Sequence, residues 1–519
     1  MCSSDLHYTL AKLGASAGHL DPKKKGRIMC ELFGAYGWNF GVRDQKYVVD
    51  HLLVKGVNEL VPHAFSMAEY PDADCPPHFY ARGNNPEFPY FARLMKYANR
   101  MCEVLSKGMH VANAAVLYDG EADWVGGAMQ MQKVIRPLLE NQIDLEIVPM
   151  DYLENPELVN GQIGENGSGR IVLNGISLDL LIVPYARAIP AHFAKWIVSA
   201  AKKGVEIVFA AGYPEEVITA DSVNAVEAAA LLDQVRSCTV VCPTDKLADH
   251  MKAKGYIDLS LDVPFTQLST YHYRKAGDIF ALQNESSYET FKGKVSLPTE
   301  AELIVYDAMA DRFESIGQTK EGGRTLVELE LAPAESIVVM DHAAAEEVSA
   351  VLGTDLEVTE EHESFSEQLD GLNESDLSVG WEVAKVRSID YPKFPEESHV
   401  EKLEPVSKDA PDFSGIIRYR KKVSLDKAPE KAFFKADQVY EVMKVLVNGE
   451  EAGFRLNPPY QVDLTGCLKA GENEIAIEVA TTPAREQINL PHPPFDFDYE
   501  ATEATGMFGK VSLYTKVEK

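Results

Sequence analysis

Glu31 is the residue whose setting most suggests chemistry. It lies in the short apolar run 27–33 (RIMCELF) and is followed at once by Gly34-Ala35-Tyr36-Gly37-Trp38. A carboxylate at the end of an apolar strand, beside an aromatic loop, suits a sugar. Apolar ring faces stack on Trp or Tyr, and glycosidases use two carboxylates flanking the scissile bond. The same spacing serves equally well a structural ion pair between Glu31 and a basic residue. His63 ends the next apolar run, 57–65 (VNELVPHAF), at the equivalent position. On consecutive strands, Glu31 and His63 would face one pocket, although a strand-end histidine is as readily a structural hydrogen-bonder. The proline-rich loop 67–89 offers Tyr80, Arg82, Asn84 and Asn85 as binders of hydroxyl groups, with Trp38 completing the subsite. Asp72 and Asp74 are the weak candidates for calcium, since the spacing of an EF-hand is absent. A rigid loop whose polar groups satisfy its own backbone is the competing reading.

These residues need elements to hold them. Segment 6–20 reads as a Leu/Ala-rich helix. Residues 43–55 have helical periodicity ending at Gly56, and 90–107 form a strong helix closed by Gly108. With strands at 27–33 and 57–65, the order is that of parallel βα units. In an eight-stranded α/β barrel the strand C-termini build the active site, which is where Glu31 and His63 would stand. From 110 to about 258 comes a second block, with strands at 111–118, 145–149, 178–184 and 205–210. Helices are expected at 126–141 and 190–203, with a polar loop between 150 and 177. This reads as a doubly wound α/β domain. It resembles the fold of class I glutamine amidotransferases, but the turn Ala210-Ala211-Gly212 offers no Cys or Ser nucleophile. No glycine-rich phosphate loop follows any of its strands, which argues against nucleotide binding. Glu121 and Trp124 fit a domain interface, or a reach toward the neighbouring barrel.

Residues 259–342 form a β-rich connector with a hairpin turning at 275–278. Between Arg324 and Lys385 there is no Lys or Arg, so 343–379 reads as a solvated acidic linker. Short alternating strands from 380 to 519, punctuated by Asn448-Gly449, read as a β-sandwich. The expected fold class is therefore multidomain α/β plus all-β.

The 519 residues amount to about three or four domains. Lys and Arg number 50 against 80 Asp and Glu, giving a net charge of −30. That balance disfavours nucleic acid as a partner and leaves a neutral sugar unaffected. No stretch has the ~20 consecutive apolar residues of a membrane span. Seven scattered cysteines without zinc spacing suggest free thiols and a cytoplasmic setting. The opening MCSSDL has no signal-peptide pattern. CSSDL is the translation of TGC-TCT-TCC-GAT-CT, the tail of a common sequencing adapter, so residues 1–6 are expected to be an assembly scar on a longer native frame.

Residues 31–38, VPHAFS around His63, HFYARGNNP and MKYANR together resemble the C-terminal half of a glycoside hydrolase barrel of the family 106 type, the α-L-rhamnosidases and their relatives. The segment VLVNGEEAGFRLNPPYQVDLTGCLKAGENEIAIEVATT with GMFGKVSLY is similar to the sugar-binding jelly roll of family 2 glycosidases. The resemblance implies a two-glutamate barrel catalyst with a carbohydrate partner, in some members with calcium in the site. Glu31 would be one of the glutamates, as general base or nucleophile. The other would lie on an earlier strand, for which there is no room before residue 7, so this chain alone is expected to be inactive. The alternatives are another sugar, such as a β-galactoside or β-glucuronide, and a non-catalytic carbohydrate-binding protein.

Overall fold

The computed structural model describes residues 7–164, 168–218, 225–487 and 503–517; residues 1–6, read as a scar, lie outside them. The chain divides into two compact units. The first comprises Met1–Cys30, His51–Glu59 and Arg100–His362, the second Glu31–Asp50, Leu60–Asn99 and Glu363–Lys519.

The first unit is built on a five-stranded parallel sheet. Its spatial order is Val240–Cys242, Glu206–Ala210, Leu180–Val183, Ala114–Tyr118, Leu145–Pro149. The strands read as apolar runs because both faces are covered. Leu117, Val148, Leu181 and Phe209 pack with Ile197 and Val235 from helices Ala191–Lys202 and Ala225–Cys238. Alternate residues Val116, Ile147, Ile182 and Val208 pack with Leu138 and Met251 from helices Gln132–Leu139 and Leu247–Lys254. Helices therefore cover both faces of this parallel sheet. The helix expected at 126–141 is shorter, Gln132–Leu139, and a separate helix, Gly120–Val125, precedes it. Gly126 and Gly127 lie between them with φ of 87° and 77°, conformations that favour glycine. The expected polar loop carries a three-stranded antiparallel ribbon over 162–178.

The hairpin turns where expected, pairing Leu268–Arg274 with Asp278–Asn284 inside a seven-stranded sheet. The two-residue strand Met109–His110 pairs at the edge of that sheet, opposite Tyr273 and Arg274. The reading of 343–379 as a solvated linker is corrected. His342–Leu352 is a helix whose Ala344, Ala345 and Val348 are buried, and Val358–Glu361 pairs with Arg312–Ser315. Its acidic residues hid an apolar stripe at i, i+1 and i+4.

In the second unit, two antiparallel sheets of six and four strands share one core, including Trp381, Phe434, Val445, Ile477 and Leu513. Four elements match the expected β/α alternation: strand β1 (Met29–Leu32), helix α2 (Val42–Leu53), strand β2 (Glu59–Pro62) and helix α3 (Phe88–Val104). Helix α1 (His7–Leu20) precedes them and belongs to the first unit. The β1–β2 offset is constant. Ile28 O accepts from Glu59 N, and Leu32 O accepts from His63 N, each at 2.9 Å, so the two strands run parallel. Among the described residues no helix is long and apolar enough to cross a membrane. Among the described residues the six cysteines form no disulfide with one another.

Candidate functional site

Along β1, Leu32 points into the core and Glu31 is exposed. The backbone then turns through Phe33 (φ 78°) and Ala35 (φ 62°). Gly34 lies against the imidazole of His63, where a Cβ would come within 3.1 Å of Cγ. The turn after the strand end thus brings Gly34 beside His63. His63 is half-buried, and its Nδ1 is buried without a hydrogen-bond partner. That nitrogen lies against Gly34, where a Cβ would come within 3.3 Å of it.

The aromatic platform is not where it was expected. Trp38 is only 4% exposed, packed with Ala81 and Ala484 and edge-on to Tyr70 and His78. It is a core residue, because the loop folds back over it and Gly37 N donates to Pro76 O. The exposed aromatic faces belong to Tyr36 (52%), Phe65 (60%) and Tyr80 (48%). Each is braced by a buried or half-buried ring: Tyr36 stacks on Phe40 at 4.5 Å, while Phe65 and Tyr80 meet Phe79 and Phe88 edge-on at 5.4 and 5.1 Å. Phe65 was legible as the end of VPHAF but was read only as strand.

The remaining polar residues of the loop satisfy its own backbone. Arg82 donates to the carbonyls of Met67 and Ala68. Asn84 Nδ2 donates to Ala81 O at 3.0 Å. Buried Asn85 donates to His78 O and accepts from Glu87 N. Asp72 accepts from Ser66 and from Asp74 N, bonds that hold its carboxyl below the usual range. For Arg82, Asn84, Asn85, Asp72 and Asp74 the structure therefore shows a loop-building arrangement, while Glu31, Tyr36, Phe65 and Tyr80 are exposed.

Two buried ionic networks escaped the sequence reading. In the first unit, His110 lies between two carboxylates, Asp144 Oδ2 at 2.8 Å and Glu146 Oε1 at 2.7 Å. Lys12 pairs with Asp144, and Glu146 also takes hydrogen bonds from Ser16 and His19. Tyr271 OH lies 3.1 Å from His19 Nε2. Burial alone would raise both carboxyls, but Lys12 and His110 draw Asp144 down, and the two histidines draw Glu146 well below its usual range. Burial lowers His19. For His110 burial is outweighed by Asp144, which raises it. His19, His110 and Glu146 are close enough together to suggest a metal centre. All four imidazole nitrogens are already hydrogen-bonded and the charges of Lys12 and His110 balance the two carboxylates, so the cluster is complete as a scaffold. In the second unit, Glu87 and Glu441 converge on the first turn of α2. The signal for both networks was faint in sequence, because the partners come from segments far apart in the chain.

A paired β/α strand set, a doubly wound sheet and a two-sheet β-domain define a multidomain α/β and β fold. A rhamnosidase from Novosphingobium sp. PP1Y shares it, superposing on 98% of this chain with a TM-score of 0.71 at 17% identity. This chain spans 49% of that protein's length. A GH42 β-galactosidase from G. stearothermophilus matches 64% of this chain and 56% of its own, at 11% identity and a TM-score of 0.42. A β-galactosidase from Bacillus circulans sp. alkalophilus matches 66% and 59%, at 9% identity and a TM-score of 0.42. No protein-family model and no curated protein matches the sequence.

Proposed function

We propose that this chain works within a glycoside hydrolase that removes terminal sugars, α-L-rhamnose in particular, with Glu31 as general base or nucleophile. The observation that carries this reading is the strand-end arrangement: exposed Glu31, the unpartnered Nδ1 of His63 beside Gly34, and three braced, exposed aromatic rings. The fold shared with a rhamnosidase over nearly the whole chain supports the sugar class. Tyr36, Phe65 and Tyr80 stack on the sugar, and His63 orients a hydroxyl.

Glu31→Gln tests the role of the carboxylate. In the enzyme that contains this chain, turnover of an aryl α-L-rhamnoside falls by ~10²–10⁴-fold while KM moves little. Unchanged turnover would remove Glu31 from the mechanism. Hydrolysis of a β-galactoside or β-glucuronide in place of the rhamnoside would change the substrate and keep the site.

A further inference from the structure

Glu87 precedes α3 directly, and Glu441 joins two strands of the β-domain, Lys431–Tyr440 and Val442–Val447. Glu441 is fully buried and Glu87 nearly so. Val42 N donates to Glu87 Oε2 at 3.2 Å, and Arg43 N to Glu441 Oε1 at 3.1 Å. The two side chains therefore cap successive amides at the start of α2. A Cβ on Gly41 would lie 1.9 Å from Glu441 Oε1 and 2.7 Å from Glu87 Oε2, so both carboxyls press on the same backbone atom. The other two oxygens, Glu87 Oε1 and Glu441 Oε2, are buried and receive no hydrogen bond from a donor among the described residues. A proton on one carboxyl supplies the donor that the other lacks, and two ionised carboxylates at this spacing would repel.

The surrounding charges place that proton. Arg43 Nε stands 4.0 Å from Glu441 Oε2, with its guanidinium 5.0 Å above the Tyr440 ring, which favours the negative charge on Glu441. Asp44 and Glu503 also approach Arg43, at 3.4 and 3.9 Å, and Asp44 adds a negative charge that raises both glutamates. Tyr460 donates to the carbonyl of Glu441, not to its carboxylate. The proton therefore sits on Glu87.

We propose that Glu87 and Glu441 form a one-proton latch that closes loop 33–41 onto the start of α2. The latch stands on its own geometry; its consequence, that it positions the loop following Glu31, rests on the glycosidase reading. Burial and the Glu441 carboxylate push Glu87 well above the ordinary carboxylate range, and burial raises Glu441 as well. A carboxyl raised in the folded state stabilises fully below its unfolded value, near 4.5. That stabilisation is lost as pH rises through the folded value. The latch therefore opens toward alkaline pH.

Hydrogen exchange at the amides of Val42 and Arg43 in the full chain, from pH 5 to 9, tests this without reference to activity. Between the unfolded value near 4.5 and the titration point of the folded pair, exchange is expected to rise by up to about tenfold per pH unit beyond the intrinsic base-catalysed rise, and the excess should level off above that point. Glu87→Gln, whose amide donates permanently to Glu441, should remove that excess. Exchange in the wild type that follows the intrinsic rise alone would overturn the latch, and so would an undiminished excess in Glu87→Gln. Where that variant does not fold, the wild-type profile decides. Failure here leaves the Glu31 test untouched, and failure of the Glu31 test leaves the latch in place.

Discussion

The two units each bury an ionic network, and the networks are opposite in kind. Around His110, two cations answer two carboxylates, and every imidazole nitrogen has a partner. Around Gly41, two carboxyls face one nearby arginine and leave two oxygens without a donor among the described residues. The first network sets Lys12 and a His110 hydrogen-bonded through both ring nitrogens against its two carboxylates. The second is complete only when it holds a proton. Burial makes both expensive to disturb, but charge balance decides which change of conditions disturbs them.

The largest effect should come from unbalancing the first. His110→Ala leaves Asp144 and Glu146 buried with one fewer cation, and about 3–5 kcal/mol of unfolding free energy should go. Urea denaturation measures this; a loss below about 1 kcal/mol would show that the network relaxes without His110. Gly41→Ala should cost about 1–3 kcal/mol by overpacking. Most of that should return in the double variant Gly41→Ala, Glu441→Ala, measured against Glu441→Ala alone. A cycle showing no coupling would mean that the helix start moves aside freely.

Acid separates the two networks further. Asp144 and Glu146 are held below their ordinary values, so their contribution is complete above about pH 5 and is lost as pH falls toward the folded values. The Glu87–Glu441 pair keeps its proton in acid. Between pH 5 and 3, the amide of Ile147, which donates to Ser16, should lose protection while Val42 and Arg43 retain theirs. Loss at both places together would end the distinction. The smallest effect is expected at Arg82→Ala, which removes exposed bonds to Met67 and Ala68 and should cost no more than about 1 kcal/mol.

The doubly wound block, the hairpin at 275–278 and the β-domain were legible because continuous apolar runs, period-two alternation and turn residues each leave a local mark. Glu31 and His63 were legible for the same reason, as polar residues at the ends of such runs. Trp38 misled, since an aromatic next to a carboxylate looks the same in sequence whether the following loop folds over it or leaves it open. Acidic residue counts hid the helix His342–Leu352, whose apolar stripe is only three residues wide. Glu87 looked like one polar residue of a loop, because the partner that gives it meaning, Glu441, lies far along the chain.

Gly41 ties these distances together in a way that bears on how the sequence can diverge. Any side chain at 41 collides with the Glu441 carboxylate, so positions 41, 87 and 441 are not free to drift one at a time. Among homologous sequences, a residue larger than glycine at 41 should appear only where 441 has lost its carboxylate. Where 441 is neutral, 87 should have lost its acid as well. Three sites scattered along the chain would then change as one inherited character, and covariation among relatives would reveal their proximity by itself.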